Sequence, residues 1–180
     1  RTVERLLGKL QRLDELDALI DERLAVTPAL LADERETLLT KQLEATKAKI
    51  QAPSEVTPRD GDEAPTQSPD LESRRLHLLG ELSKLRPTDD GLLAEQQTIL
   101  TARKELSKAR DVAAQRQQLA EKQGLDATTL TDRQLAVAQL DIELGQFAVA
   151  EGALEQVLAR TPTSASALKT LVDLHTGRPV

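Results

Sequence analysis

The residues able to do chemistry are few and scattered. The chain has two histidines, His77 and His175, and no Cys. A zinc site needs three or four converging nitrogen or sulfur donors. A Ser-His-Asp arrangement needs a histidine beside a nucleophile. Two histidines far apart in sequence supply neither. The absence of Cys also removes a disulfide scaffold, an iron–sulfur cluster and a cysteine nucleophile, and the absence of Asn removes N-glycosylation. Asp14, Asp17 and Asp21 recur at helical spacing and would offer a hard cation three carboxylates. Such sites draw their ligands from a loop. None adjoins these three, so they read as a solvated helix face. No Gly-rich phosphate loop is present, and no nucleophile sits beside a base. The sequence therefore predicts no enzyme, no cofactor and no bound metal.

Charge and composition narrow the partners. The formal net charge is -6, basic residues are interspersed with acids, and Arg74-Arg75 is the densest basic spot. Phe147 is the only aromatic residue. Single-strand nucleic-acid binders need a basic groove and aromatic stacking platforms, so nucleic acid is not an expected partner. No apolar run approaches the roughly 20 residues of a membrane helix, and membrane insertion is not expected. No signal peptide is visible. The chain starts at Arg1 and has no Met, which reads as a fragment or a processed product. That leaves localisation open between cytoplasm and bacterial periplasm.

Helices must position whatever surface remains. Leucines recur at three- and four-residue spacing, and no stretch alternates like a strand. The predicted fold class is all-α. Leu6, Leu10, Leu13, Leu16, Ile20 and Leu24 mark a helix over about 2–26. Leu31, Leu38, Leu39, Leu43, Ala45 and Ile50 mark a second over 28–51, with Thr27 as cap and Pro28 in its first turn. Residues 52–69 hold four of the eight prolines and almost no large apolar groups, and read as a flexible linker. Leu71, Leu76, Leu79, Leu82 and Leu85 mark a helix from about Asp70 to before Pro87, with His77 beside the stripe. From Asp89 to Gln123 no Gly or Pro follows Gly91, and Leu92, Ile99, Leu106, Ala113 and Ala120 recur every seven residues. That spacing predicts one long helix with a coiled-coil-like seam, interrupted in its second column by Arg103, Arg110 and Gln117.

Residues 131–162 carry the most specific pattern. They read as two helices meeting at Gly145, with Leu135, Ala138 and Ile142 facing Phe147, Ala150, Leu154, Val157 and Leu158, and with Pro162 closing the pair. A further helix follows from about Ser164 to Thr176. The spacing of Gly145, Phe147, Ala150 and Pro162 resembles the tetratricopeptide repeat family, whose 34-residue units are helix pairs. The first helix departs from that pattern: Gln134 and Asp141 stand where the family usually has aromatic residues. Residues 12–28 align with 146–162, Leu13 on Phe147 and Pro28 on Pro162, and LSKLRPTDDGLL around Pro87 is a fainter echo.

The expected organisation is a helical hairpin over 1–51, the linker 52–69, long coiled-coil-like helices over 70–124 and a repeat-like region over 125–180. The resemblance implies a non-catalytic protein-protein interaction or scaffold module of a larger helical-repeat protein. Its ligand would be a protein or peptide held on the face lined by the first helix of each pair. Carried onto this chain, that face holds Asp132, Gln139 and Glu143, then Lys169 and Asp173. The competing reading is a structural spacer, or an arm forming a homo-dimer through 89–123.

Overall fold

The computed structural model describes Arg12, Asp14, Glu15 and residues 18–22, 32–51 and 69–177. The described residues form helices and turns only, as an all-α fold requires. The linker reading of 52–69 lies outside them apart from Pro69, as does most of the helix expected over 2–26. The chain divides into two compact units at Pro87/Thr88. That boundary cuts the 70–124 segment expected from sequence.

In the first unit, α1 spans Ala32–Gln51 and α2 spans Pro69–Leu85. They pack on each other, and residues 18–22 are helical as well. Ile20, Leu39, Leu43, Ala45, Leu78, Leu79 and Leu82 are buried. Two polar residues share the buried face of α1, which periodicity alone did not show. Gln42 and Thr46 are 1% and 0% exposed. The Thr46 hydroxyl donates to the Gln42 carbonyl at 2.9 Å. The Gln42 amide donates to Asp21 Oδ1 at 2.7 Å, and Arg74 donates to Asp21 Oδ2 at 2.6 Å. Burial pulls the Asp21 pKa upward, but the hydrogen bonds from Gln42 and Arg74 outweigh it and hold it below the ordinary value. Lys49 Nζ lies 2.8 Å from Asp14. Asp14 and Asp21 are both exposed, as the solvated-face reading expects, and each also pairs with a basic side chain, Lys49 of α1 and Arg74 of α2. His77 is exposed on α2.

The second unit contains α3 (Asp90–Ala102), α4 (Leu106–Lys122), α5 (Ala127–Glu143), α6 (Phe147–Arg160) and α7 (Ala165–Thr176). From α4 onward each packs on the one before it. The single helix expected over 89–123 is therefore two helices. The reversal lies at Arg103–Glu105, where Lys104 adopts the left-handed conformation with φ 59°. Three helix ends in this unit repeat one hydrogen-bond pattern. The amides of Lys104 and Glu105 reach back to Thr101 and Leu100, at 3.0 and 2.9 Å. Those of Gly124 and Leu125 reach Glu121 and Ala120, and those of Gly145 and Gln146 reach Ile142 and Asp141. This is the helix-ending motif that places a left-handed residue just past the cap. Glycine fills that place at 124 and 145, lysine at 104.

The broken helix also redirects the seven-residue seam. Ile99, Ala113 and Ala120 are buried inside the unit, and Leu92 and Leu106 are half-buried. No continuous seam over 89–123 exists to pair with a second chain. Instead α4 and α6 each place an alanine, Ala109 and Ala150, three residues past the turn, and both are 0% exposed. Leu135, Ala138, Ala150, Leu154, Val157 and Ala167 form one core cluster drawn from α5, α6 and α7. Asp89, Asp126 and Ser164 cap α3, α5 and α7 by accepting bonds from amides in the first turn.

A left-handed lysine carries strain that glycine does not. Lys104→Gly is expected to stabilise the second unit by about 0.5–1 kcal/mol, the relieved strain exceeding the added chain entropy. A urea midpoint that rises with an unchanged slope checks this; an unmoved or lowered midpoint contradicts it.

Candidate interaction surface

α5 is the best-supported element of the second unit. Thr131, Gln134, Leu135, Val137, Ala138, Leu140 and Asp141 are all buried along it, against α4 on one side and α6 on the other. One stripe stays open. Asp132, Gln139 and Glu143 lie on it, seven and then four residues apart, and all three are exposed. On α7, Lys169 is exposed and Asp173 half-exposed, one turn apart. The five residues expected from the sequence therefore stand on accessible helix faces. α5 and α7 share the core cluster through Leu135, Ala138 and Ala167. No hydrogen bond or ion pair joins the α5 set to the α7 set among the described residues.

A set of charged contacts between α3, α4 and α5 was not found by the sequence reading. Asp90, at the start of α3, accepts from Arg116 Nε at 2.8 Å and Nη2 at 3.0 Å. It also accepts from Arg133 of α5 at 2.6 Å. Arg116 spends its remaining terminal nitrogen on Gln97, at 2.7 Å. One carboxylate thus ties α3, α4 and α5 together. The Arg116 hydrogen bond, reinforced by the charges of Arg116 and Arg133, holds the Asp90 pKa below the ordinary aspartate value against a smaller burial penalty. Further along, Arg110 of α4 donates to Asp141 of α5 at 2.9 Å, and this bond raises the Arg110 pKa. Asp141 is 1% exposed and its Oδ2 has no partner. Its one strong contact is therefore Arg110.

Two sequence features pointed to this pair without revealing it. Arg110 interrupts the seven-residue seam, and Asp141 replaces an expected aromatic residue. A charge in an otherwise apolar column and a charge in an aromatic place are a matched set once the helices are antiparallel neighbours.

Among the described residues, no group of three or more His, Cys, Asp or Glu is placed to hold a metal ion. No helix of the described residues is long and apolar enough to cross a membrane. The acidic groups of α5's stripe present hydrogen-bond acceptors to solvent, and Lys169 presents donors. Compared with the models of known protein families and with curated proteins, the chain has no significant match.

Two outcomes are expected. Arg110→Ala leaves a buried carboxylate without its partner and should cost about 3 kcal/mol. Arg110→Lys, which restores the charge but loses the planar fork, should recover part of that in chemical denaturation; an Arg110→Ala loss below about 1 kcal/mol would show the pair to be incidental. For Asp90, the folded pKa is depressed, so its contribution is complete above the unfolded value and is lost as pH falls through the folded one. Asp90→Asn should therefore destabilise at neutral pH and flatten the decline of stability on acidification. Parallel stability-versus-pH curves for the two proteins would contradict this.

Proposed function

We propose that this chain is a non-catalytic protein-interaction module of the helical-repeat type. It holds a polar segment of a protein partner along α5 and α7. The observation that supports this reading is the treatment of α5. Packing covers most of its circumference, and the charges beneath it are neutralised in pairs. What remains is one rigid polar stripe with Asp132, Gln139 and Glu143. A helix held this way needs little further ordering on binding, and such ordering is one of the costs of association. The tetratricopeptide-like spacing of Gly145, Phe147, Ala150 and Pro162 points the same way, since helical repeats present extended faces to partners. Lys169 and Asp173 extend the face onto α7.

Each polar group on such a face contributes about 1 kcal/mol to a bound partner. The double reversal Asp132→Lys with Glu143→Lys should weaken capture of a partner by about ten-fold or more. The measurement is affinity capture with the full chain as bait, followed by titration of the captured protein against both baits. Circular dichroism confirms that the variant keeps its helices. A partner bound equally well by the reversed chain would refute the α5 face as the binding surface.

A further inference from the structure

α7 is held less firmly than α5. Only Ala167 and Thr170 are buried along it, and Leu171 packs on the core cluster. One charged contact joins α7 to α6: His175 Nε2 lies 3.2 Å from Glu151 Oε1. The two side chains are 59% and 39% exposed, so water screens the contact and its effect is a few-fold at most. On a helix with so little buried surface, a few-fold change in local opening is a large share of what holds it.

The place of each residue in its helix favours a charge on it. His175 stands in the last turn of α7, where unpaired carbonyls concentrate negative charge. Glu151 stands near the start of α6, where unpaired amides concentrate positive charge. The other charged groups of these elements sit elsewhere. Glu155 is one turn farther along α6 and Arg160 is at its far end. Lys169 and Asp173 come earlier in α7, and Glu143 ends α5. Among the described residues, Glu151 is the only charged group in contact with the imidazole.

This contact is an ion pair only while the imidazole is protonated. A neutral imidazole keeps at most an ordinary hydrogen bond to Glu151 and loses its attraction to the helix end. Histidine is the side chain that ordinarily changes charge between about pH 5 and 8. The second unit has one histidine, His175, since His77 lies in the first unit, and the chain has no Cys. Docked α7 favours the charged imidazole, so docking strengthens as pH falls through that window and weakens as pH rises. We propose that His175 is a proton-sensitive clasp that fastens α7 to α6, tighter when the imidazole is charged and looser when it is neutral. The clasp does not depend on the binding role given to α5 and α7. Where that role holds, the clasp sets how firmly Lys169 and Asp173 are presented.

Amide hydrogen exchange of the full chain, followed residue by residue at about pH 5.5 and about pH 7.5, brackets the histidine window. After correction for intrinsic exchange rates, the amides of α7 should be protected about three-fold more at the lower pH. His175→Gln should bring that ratio to about one, because glutamine does not titrate. Glu151→Gln should lower the ratio without abolishing it, since the helix end still attracts the imidazolium. His77→Gln, which removes the chain's other histidine, should leave the ratio at about three. Circular dichroism establishes that each variant keeps its helices. Amides of α7 no better protected at the lower pH overturn the proposal. So does a pH response that survives His175→Gln, one that Glu151→Gln leaves intact, or one that His77→Gln removes. No partner is needed for this measurement, so its failure is separate from failure of the α5 face to bind one.

Discussion

The close approach of helices at alanine is the constraint on which the second unit depends. A chain whose aromatic content is 1% cannot fill wide spaces between helices with large rings. It must bring the backbones together instead. Ala109, Ala138, Ala150 and Ala167 are each 0% exposed, and they stand where α4, α5, α6 and α7 meet their neighbours. Around them Leu154 and Val157, also 0% exposed, complete a dense core with side chains of modest volume. An added methylene at any of these alanines would push two helices apart. Close approach also explains the tight reversals. Helices this near each other must be joined by short turns, and a left-handed residue just past the cap provides one in three residues.

Close approach makes the few buried charges consequential. Helices that meet through small residues have little knob-and-hole relief to fix their sliding register. The pairs Asp90–Arg116, Asp90–Arg133 and Arg110–Asp141 supply that register, because each is satisfied only at one offset of α3, α4 and α5. Apart from Asp141 these side chains are only half-buried, and ion pairs of this sort contribute little net stability. Their effect here is on alignment. The first unit uses the same device more lightly, with Asp21 shared between Gln42 and Arg74.

Much of this was legible in the order of residues. The leucine spacing gave the all-α class. Pro87 and Gly145 marked real chain reversals, and the helix read from Asp70 to before Pro87 matches Pro69–Leu85 closely. Asp132, Gln139, Glu143 and Lys169, assigned to an open face by the family resemblance, are exposed. What was not legible has a common physical origin. Lys104 takes a conformation normally left to glycine, so no residue type announces the break inside 89–123. It is held there by the backbone bonds of Lys104 and Glu105 and by the packing of α4 back onto α3, and packing is not a local property. The burial of Gln42, Thr46 and Asp141 likewise depends on partners far along the chain. A polar residue in an apolar column reads as an interruption until its partner is known.

The division of labour between α5 and α7 follows from these constraints. α5 is held from both sides by packing and from beneath by paired charges, so its open stripe has a fixed geometry. α7 is held from one side only, by the core cluster, Ser164 at its cap and the contact between Glu151 and His175. Helices with fewer buried contacts open locally at lower free energy. α7 is thus the element whose stability gains most from any added contact, whereas α5 gains least. Exposed apolar groups on the less supported helix, and exposed polar groups on the better supported one, match that ranking.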